Sequence, residues 1–159
     1  EFQKQWKADY TQRAEELGLT VDQVLTLASI IERECGQSDE RANVSAVFHN
    51  RLNSQNMKKL QSDVTILYVN KQIKPYIQLP NQALYDAYNT YRCEGIPVGP
   101  ICNPGIASIE AALYPSDADA LYFVTDSNGT FYYAKTLREH NQNIRKAART
   151  GTAHGTETQ

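Results

Sequence analysis

Apolar residues recur at helical spacing along most of this chain and give way to short β-prone runs only near its C-terminal end. Trp6, Tyr10, Ala14 and Leu17 share one face of a helix predicted over about residues 3–17, and Gly18 supplies a left-handed stop. Thr20 and Gln23 form a capping box, the hydroxyl meeting the Gln23 amide while the Gln23 side chain reaches back. A second helix is therefore predicted over residues 21–35, ending before Gly36. Ser38, with Asp39 and Glu40 behind it to suit the helix dipole, is expected to open a third helix through Val44, Val47, Phe48 and Leu52. His49, Asn50 and Arg51 lie near its end.

Beyond a polar stretch, Ser62 or Asp63 caps a short helix through Ile66 and Leu67, and residues 70–80 read as loop. Residues 95–105 are rich in Gly and Pro and lead to a helix start with Asn103 as cap and Pro104 in the first position, the helix ending near Pro115. Residues 120–125 and 130–134 are β-prone and are joined by Asp126-Ser127-Asn128-Gly129, a strong hairpin signal because Asn-Gly tolerates positive φ. Thr136 to Glu139 form a second capping box, opening a helix that carries His140 towards Arg149. Residues 150–159 have no apolar face and are expected to be a disordered tail. The expectation is an α+β fold in a single domain over residues 1–149, with helices packed around a small antiparallel sheet that ends in a C-terminal hairpin.

A length of 159 residues suits one domain that needs no staples. The net charge of -2 and the lack of a basic run exclude the electrostatic footprint of a nucleic-acid partner. The longest apolar run, about residues 24–31, is broken by Thr26 and Ser29 and falls short of the roughly 20 residues of a membrane span. The chain opens on Glu1-Phe2-Gln3 without a leader pattern and reads as a piece of a longer protein. Cys35, Cys93 and Cys102 are odd in number and lack CxxC spacing, so neither a metal site nor any cofactor is expected. Cys93 and Cys102 flank the Gly/Pro loop, and a bridge between them depends on geometry that spacing does not give.

Chemistry centres on the end of the second helix. At about 100° per residue, Asp22, Thr26, Ser29 and Arg33 mark its polar side, and Val24, Ala28, Ile31 and Cys35 its buried side. Glu32 falls nearer the buried side, while Glu34 is rotated from it by roughly 160° towards partial exposure, so the two are not a paired dyad. As bare pattern both are solvated helix-end acids. A carboxyl taken out of water instead keeps its proton near neutral pH, which a general acid requires.

The ordered strings Leu27-Ala28-Ser29-Ile30-Ile31-Glu32-Arg33-Glu34, Val47-Phe48-His49-Asn50-Arg51-Leu52, Leu60-Gln61-Ser62-Asp63 and Tyr88-Asn89-Thr90-Tyr91, with residues 95–105, Leu121-Tyr122-Phe123-Val124 and His140-Asn141, carry a resemblance. From about residue 14 to 146 the chain resembles the catalytic domain of the YceG-like endolytic murein (peptidoglycan) transglycosylases. The resemblance implies a lyase that cuts glycan strands between N-acetylmuramic acid and N-acetylglucosamine and leaves 1,6-anhydro ends. It implies Glu32 as the catalytic acid and then base, with Glu34 in support. It also implies a membrane anchor upstream, action outside the cytoplasmic membrane, peptidoglycan strands as partner and, further, peptidoglycan synthases.

The remaining motif residues carry two readings each. Asn50, Gln61, Asn89 and Asn103 offer amides for N-acetyl and hydroxyl groups, or tie loops and cap helices. Tyr88 and Tyr91 stack on sugars or simply pack. Arg51 meets a lactyl or peptide carboxylate of the substrate, or pairs with Asp39 or Glu40. Asp63 is a reserve second acid. Two rival functions stay open: a peptidoglycan-binding module without chemistry, and a cysteine hydrolase built from Cys93 or Cys102 with His140.

Overall fold

The computed structural model describes residues 6–36 and 38–150 and the backbone of residues 154–155. Seven α-helices precede or flank one small sheet among the described residues, so the α+β expectation is borne out. Helix α1 spans Ala8–Glu16, shorter at its start than predicted, and Gly18 ends it at φ +69°. Helix α2 spans Val21–Cys35, and the Thr20/Gln23 capping box forms as expected. Helix α3, Arg41–Asn53, begins two residues later than the Ser38 cap implied. The Ser38 hydroxyl instead accepts from the Glu40 amide at 3.1 Å, a local turn that competes with helix entry.

Helix α4, Asp63–Tyr68, runs into a π turn, Val69–Ile73, and a 3-10 turn, Lys74–Tyr76, where loop was expected. A further helix, α5, Gln82–Tyr88, was not foreseen; Asn81 caps it by accepting from the Leu84 amide. Helix α6, Ile106–Leu113, starts at Gly105, so the Asn103 cap and Pro104 first position are corrected. Asn103 stays exposed in the loop before it. Strands β1, Tyr122–Thr125, and β2, Phe131–Ala134, pair antiparallel from Tyr122 with Ala134 to Thr125 with Phe131. Their turn is held by Asp126, whose Oδ1 accepts from the amides of Asn128 and Thr130 at 2.9 Å each, with Gly129 at φ +81°. The Thr136/Glu139 box opens helix α7, Leu137–Ala147, which lies against both strands. Within the tail expected to be disordered, His154–Gly155 form a short strand β3 on the other edge of β1.

Helix α2 is the centre of the molecule. It packs chiefly on α6 and also on α3, α4 and α1, and its residues 26–31 are all buried. The polar side assigned to Thr26 and Ser29 is therefore corrected: both are buried, and residues 95–105 dock on it at Ser29 through Ile101 and Cys102. Each hydroxyl bonds back to its own helix, Thr26 to the Asp22 carbonyl and Ser29 to that of Thr26, both at 2.7 Å. Ser29 Oγ also accepts from the Ile101 amide at 3.0 Å, which pins the Gly/Pro loop to the helix. Phe48 of α3 meets Phe123 of β1 edge-on, with centroids 6.0 Å apart, and this contact joins the helices to the sheet.

Ser29→Ala leaves the buried Ile101 amide without its acceptor, and is expected to cost about 1–3 kcal/mol in urea unfolding. Thr20→Ala, at an exposed cap, is expected to cost about 1 kcal/mol. A Ser29→Ala loss no larger than a few tenths of a kcal/mol would show that the loop is held by other contacts.

Candidate active site

The last turn of α2 aims its two glutamates at different neighbours. Glu32 is half-buried at the start of α6, where the Ser108 hydroxyl donates to its Oε2 at 2.5 Å. A Cβ placed on Gly105 would lie 3.7 Å from that same oxygen, so the carboxylate sits against the first turn of α6, where helix dipoles favour negative charge. Ser108 Oγ also accepts from Arg41 Nε at 3.1 Å, and Arg41 binds the carbonyls of Ser38 and Gly36. Glu32 thus closes a relay that ties α2 to α3 and α6.

Glu34 faces the start of α4. Ser62 Oγ donates to its Oε1 at 2.6 Å. Burial pushes the Glu34 carboxyl up to about 7; the Ser62 hydrogen bond opposes that shift, and the nearby Asp63 charge adds to it. Among the site residues it is therefore Glu34 that desolvation brings to the titration range of a neutral-pH acid/base group. The two carboxyls stand apart as the helix geometry predicts, but the expected contrast in exposure is corrected: both are half-buried, and it is Glu34, expected on the more exposed side, whose carboxyl burial shifts, because the start of α4 covers it. Asp63 is positioned in turn by Tyr91, whose hydroxyl donates to Oδ1 at 2.6 Å.

Three of the predicted residues thus meet: Glu34, Asp63 and Tyr91. Gln61 lies beside them in the chain, at φ +53°, the one non-glycine with positive φ among the described residues. Its Oε1 accepts from Arg51 Nη2. Arg51 is 1% exposed and pairs with neither Asp39 nor Glu40; its Nη1 donates to the Leu121 carbonyl and its guanidinium lies over the Tyr122 ring. Asn50 binds the carbonyls of Ala118 and Ala120, which makes it a tie between α3 and the chain before β1. Asn89 ends α5 and its Oδ1 accepts from the Tyr91 amide, which orients Tyr91. Tyr88 packs against Tyr68, and its hydroxyl oxygen would lie 3.0 Å from a Cβ built on Gly99. Asn103 stands apart from the group.

Thr90, Ser108 and Arg41 were not singled out from sequence, and Ser62 was read only as a helix cap; it stands at the cap position of α4 but its side chain makes no capping bond and turns to Glu34 instead. Ser62 and Thr90 lie inside two of the recurring strings, and that was the available signal; Ser108 and Arg41 had none. The three cysteines are unpaired, so the Cys93–Cys102 bridge is absent. Cys102 Sγ donates to the Ser29 carbonyl at 3.4 Å, and burial pushes both Cys93 and Cys102 thiols up, away from the thiolate a nucleophile needs. His140 is buried and stacked on Tyr122 at 5.0 Å. No metal-holding group of His, Cys, Asp and Glu occurs among the described residues, nor a helix long and apolar enough to cross a membrane.

A sequence model of the YceG-like family matches residues 1–146. The endolytic murein transglycosylase of Bacillus subtilis (strain 168) is 40% identical over 124 residues, covering 78% of this chain and 34% of that protein. The protein of the same name from Streptococcus pneumoniae is 35% identical over 132 residues, covering 79% and 24%. A crystal structure of a yceG-like protein from Listeria monocytogenes superposes with a TM-score of 0.70 at 40% identity, over 86% of this chain and 44% of that one. The chain thus matches about a third or less of the length of these curated relatives.

Glu34 binds its proton more tightly folded, near 7, than its ordinary 4.5. Its contribution to stability is therefore complete below about pH 4.5 and is lost as pH rises through 7. The Glu34→Gln protein should lack this loss and gain on the wild type by about 2–3 kcal/mol between pH 4.5 and 8 in parallel urea titrations. Parallel pH profiles for the two proteins would refute the shifted carboxyl.

Proposed function

The chain belongs to the YceG-like family, and on that premise we propose that it is the catalytic part of a lytic transglycosylase that cuts peptidoglycan strands between N-acetylmuramic acid and N-acetylglucosamine. The murein transglycosylase activity of its relatives supports the substrate class. One observation carries the chemistry: a carboxyl brought by burial to about 7, with a hydroxyl donor at 2.6 Å and a second carboxylate nearby. Such a group is populated in both protonation states near neutral pH, so it serves as acid and then as base.

Glu34 donates its proton to the glycosidic oxygen as the bond to muramyl C1 breaks. The carboxylate left behind takes the proton of the muramyl C6 hydroxyl, whose oxygen closes on C1 as a 1,6-anhydro ring. Atoms and charge balance without water. Ser62 steadies the carboxylate between the two transfers, and the Asp63 charge favours its return to the protonated form. Tyr91 holds Asp63 in place. Only one carboxyl moves protons, unlike the two that hydrolytic glycosidases place across the sugar.

The resemblance in sequence assigned this role to Glu32. Each glutamate accepts from a serine; we give the proton transfers to Glu34, because burial beside Asp63 favours the protonated form that a donor needs, whereas the hydroxyl at Glu32 is shared with Arg41 at the start of α6. The same reading sets the domain to work outside the cytoplasmic membrane, where glycan strands lie.

Mass spectrometry of purified strands incubated with the wild type, Glu34→Gln and Glu32→Gln separates the possibilities. Anhydromuramyl ends are expected from the wild type, at a rate reduced about 100-fold or more in Glu34→Gln and far less in Glu32→Gln. Loss confined to Glu32→Gln returns the role to that residue. Reducing ends mean hydrolysis with Asp63 as second carboxylate, and strands bound but uncut by every protein mean a binding module.

A further inference from the structure

Arg51 is a cation in an unusual position. It is 1% exposed, its Nε has no hydrogen-bond partner, and no carboxylate pairs with it among the described residues. Its neighbours are neutral: the Leu121 carbonyl, the Gln61 amide and the Tyr122 ring. Burying a charge without a counter-ion is costly, and desolvation pulls its pKa down accordingly. A fold that retains such a group holds a field available to an anion from outside.

The guanidinium lies under an open depression of about 370 Å³. Lys58 and Lys59 line the same depression and form no ion pair among the described residues; Glu94 is its one acid. Three cations against one acid leave an excess of positive charge, while the protein as a whole is at -2. The backbone there is fixed: Lys59 pairs with Gly95 as an isolated bridge, and the Gly95 amide donates to the Lys58 carbonyl at 2.8 Å.

We propose that this depression is a subsite for a carboxylate carried by the glycan strand, on the peptide stem attached through the muramyl lactyl group. The proposal rests on the reading of the active site above. Its placement follows from the chain: Gln61, which lines the depression and holds Arg51, directly precedes Ser62, which holds Glu34. A muramyl ring cut at C1 carries its lactyl substituent at C3 of that same ring, so a stem extending from a ring held at Glu34 meets groups on the residue next to Ser62. Lys58 and Lys59 contact the carboxylate, and Arg51 acts from the floor without touching it.

Isothermal titration of the Glu34→Gln protein with two muropeptides tests this apart from cleavage. One carries free stem carboxylates and the other has them amidated. The free form is expected to bind about tenfold tighter at low salt, with the gap shrinking as salt rises and disappearing in Lys58→Gln/Lys59→Gln. Equal binding of the two forms, binding of neither, or a gap that survives the double substitution overturns the subsite. Product analysis with the wild type judges the cleavage reading separately: anhydro ends without discrimination by stem charge sink only the subsite, and the absence of any cut sinks the cleavage reading instead. A near-wild-type unfolding curve for the double variant excludes misfolding as the source of a lost gap.

Discussion

Three hydroxyls closed off from water organise the site. Ser62, Thr65 and Thr90 are each fully buried, and a buried hydroxyl left unpaired costs about 1–3 kcal/mol, so each must find a partner within the protein. They find one another. Thr90 Oγ1 accepts from the Ser62 amide at 2.9 Å, Thr65 Oγ1 donates to the Ser62 carbonyl at 2.8 Å, and the two threonine hydroxyls meet at 3.0 Å. The Gln61 amide completes the knot on the Thr90 carbonyl. With its amide and carbonyl both held, Ser62 turns its own hydroxyl to Glu34. Asp63, next in the chain, opens α4, and Tyr91, next after Thr90, reaches it. The knot therefore brings the parts of the site together from segments 28 residues apart.

Two glutamates separated by a single residue end in unlike surroundings because a helix turns about 200° between them. Helix α2 is buried through its centre, so both sides of its last turn meet protein: α6 on one, the start of α4 on the other. On the α6 side Glu32 finds a hydroxyl that Arg41 also engages, at the positive end of a helix. On the α4 side Glu34 finds one hydroxyl, a neighbouring carboxylate and little water. The same side chain at two positions thereby meets two different surroundings.

What was legible in the sequence was what adjacent residues decide. Thr20 with Gln23 and Thr136 with Glu139 cap their helices through partners three positions away, and Asp126 to Gly129 turn the hairpin by their own side chains. The site depends on distant partners. Glu34 takes its environment from Ser62, Ser29 from Ile101 and Glu32 from Ser108, and a helical wheel sees none of these. Thr26 and Ser29 therefore looked like a solvent face although both are buried, Ser29 beneath the Gly/Pro loop. Helix α5 was hidden for a related reason: it buries no residue fully, so it leaves no apolar periodicity to read. Ser62, Asp63, Thr90 and Tyr91, which the knot brings together, nevertheless all fall inside the strings that carried the resemblance.

Charge placement follows one order across the site. The charge that acts on Glu34 is the negative one of Asp63, which favours the protonated form, while the positive charge of Arg51 is buried beyond Gln61 and screened by neutral partners. A cation placed against Glu34 would favour its ionised form. Gln61 maintains this separation at a cost. Its φ of +53° is strained for a residue with a Cβ, and the strain accompanies a side chain that holds Arg51 while the next residue holds the acid. The residues that hold Arg51 and Glu34, Gln61 and Ser62, are neighbours in the chain, yet this backbone turn and the neutral amide keep the two charges apart.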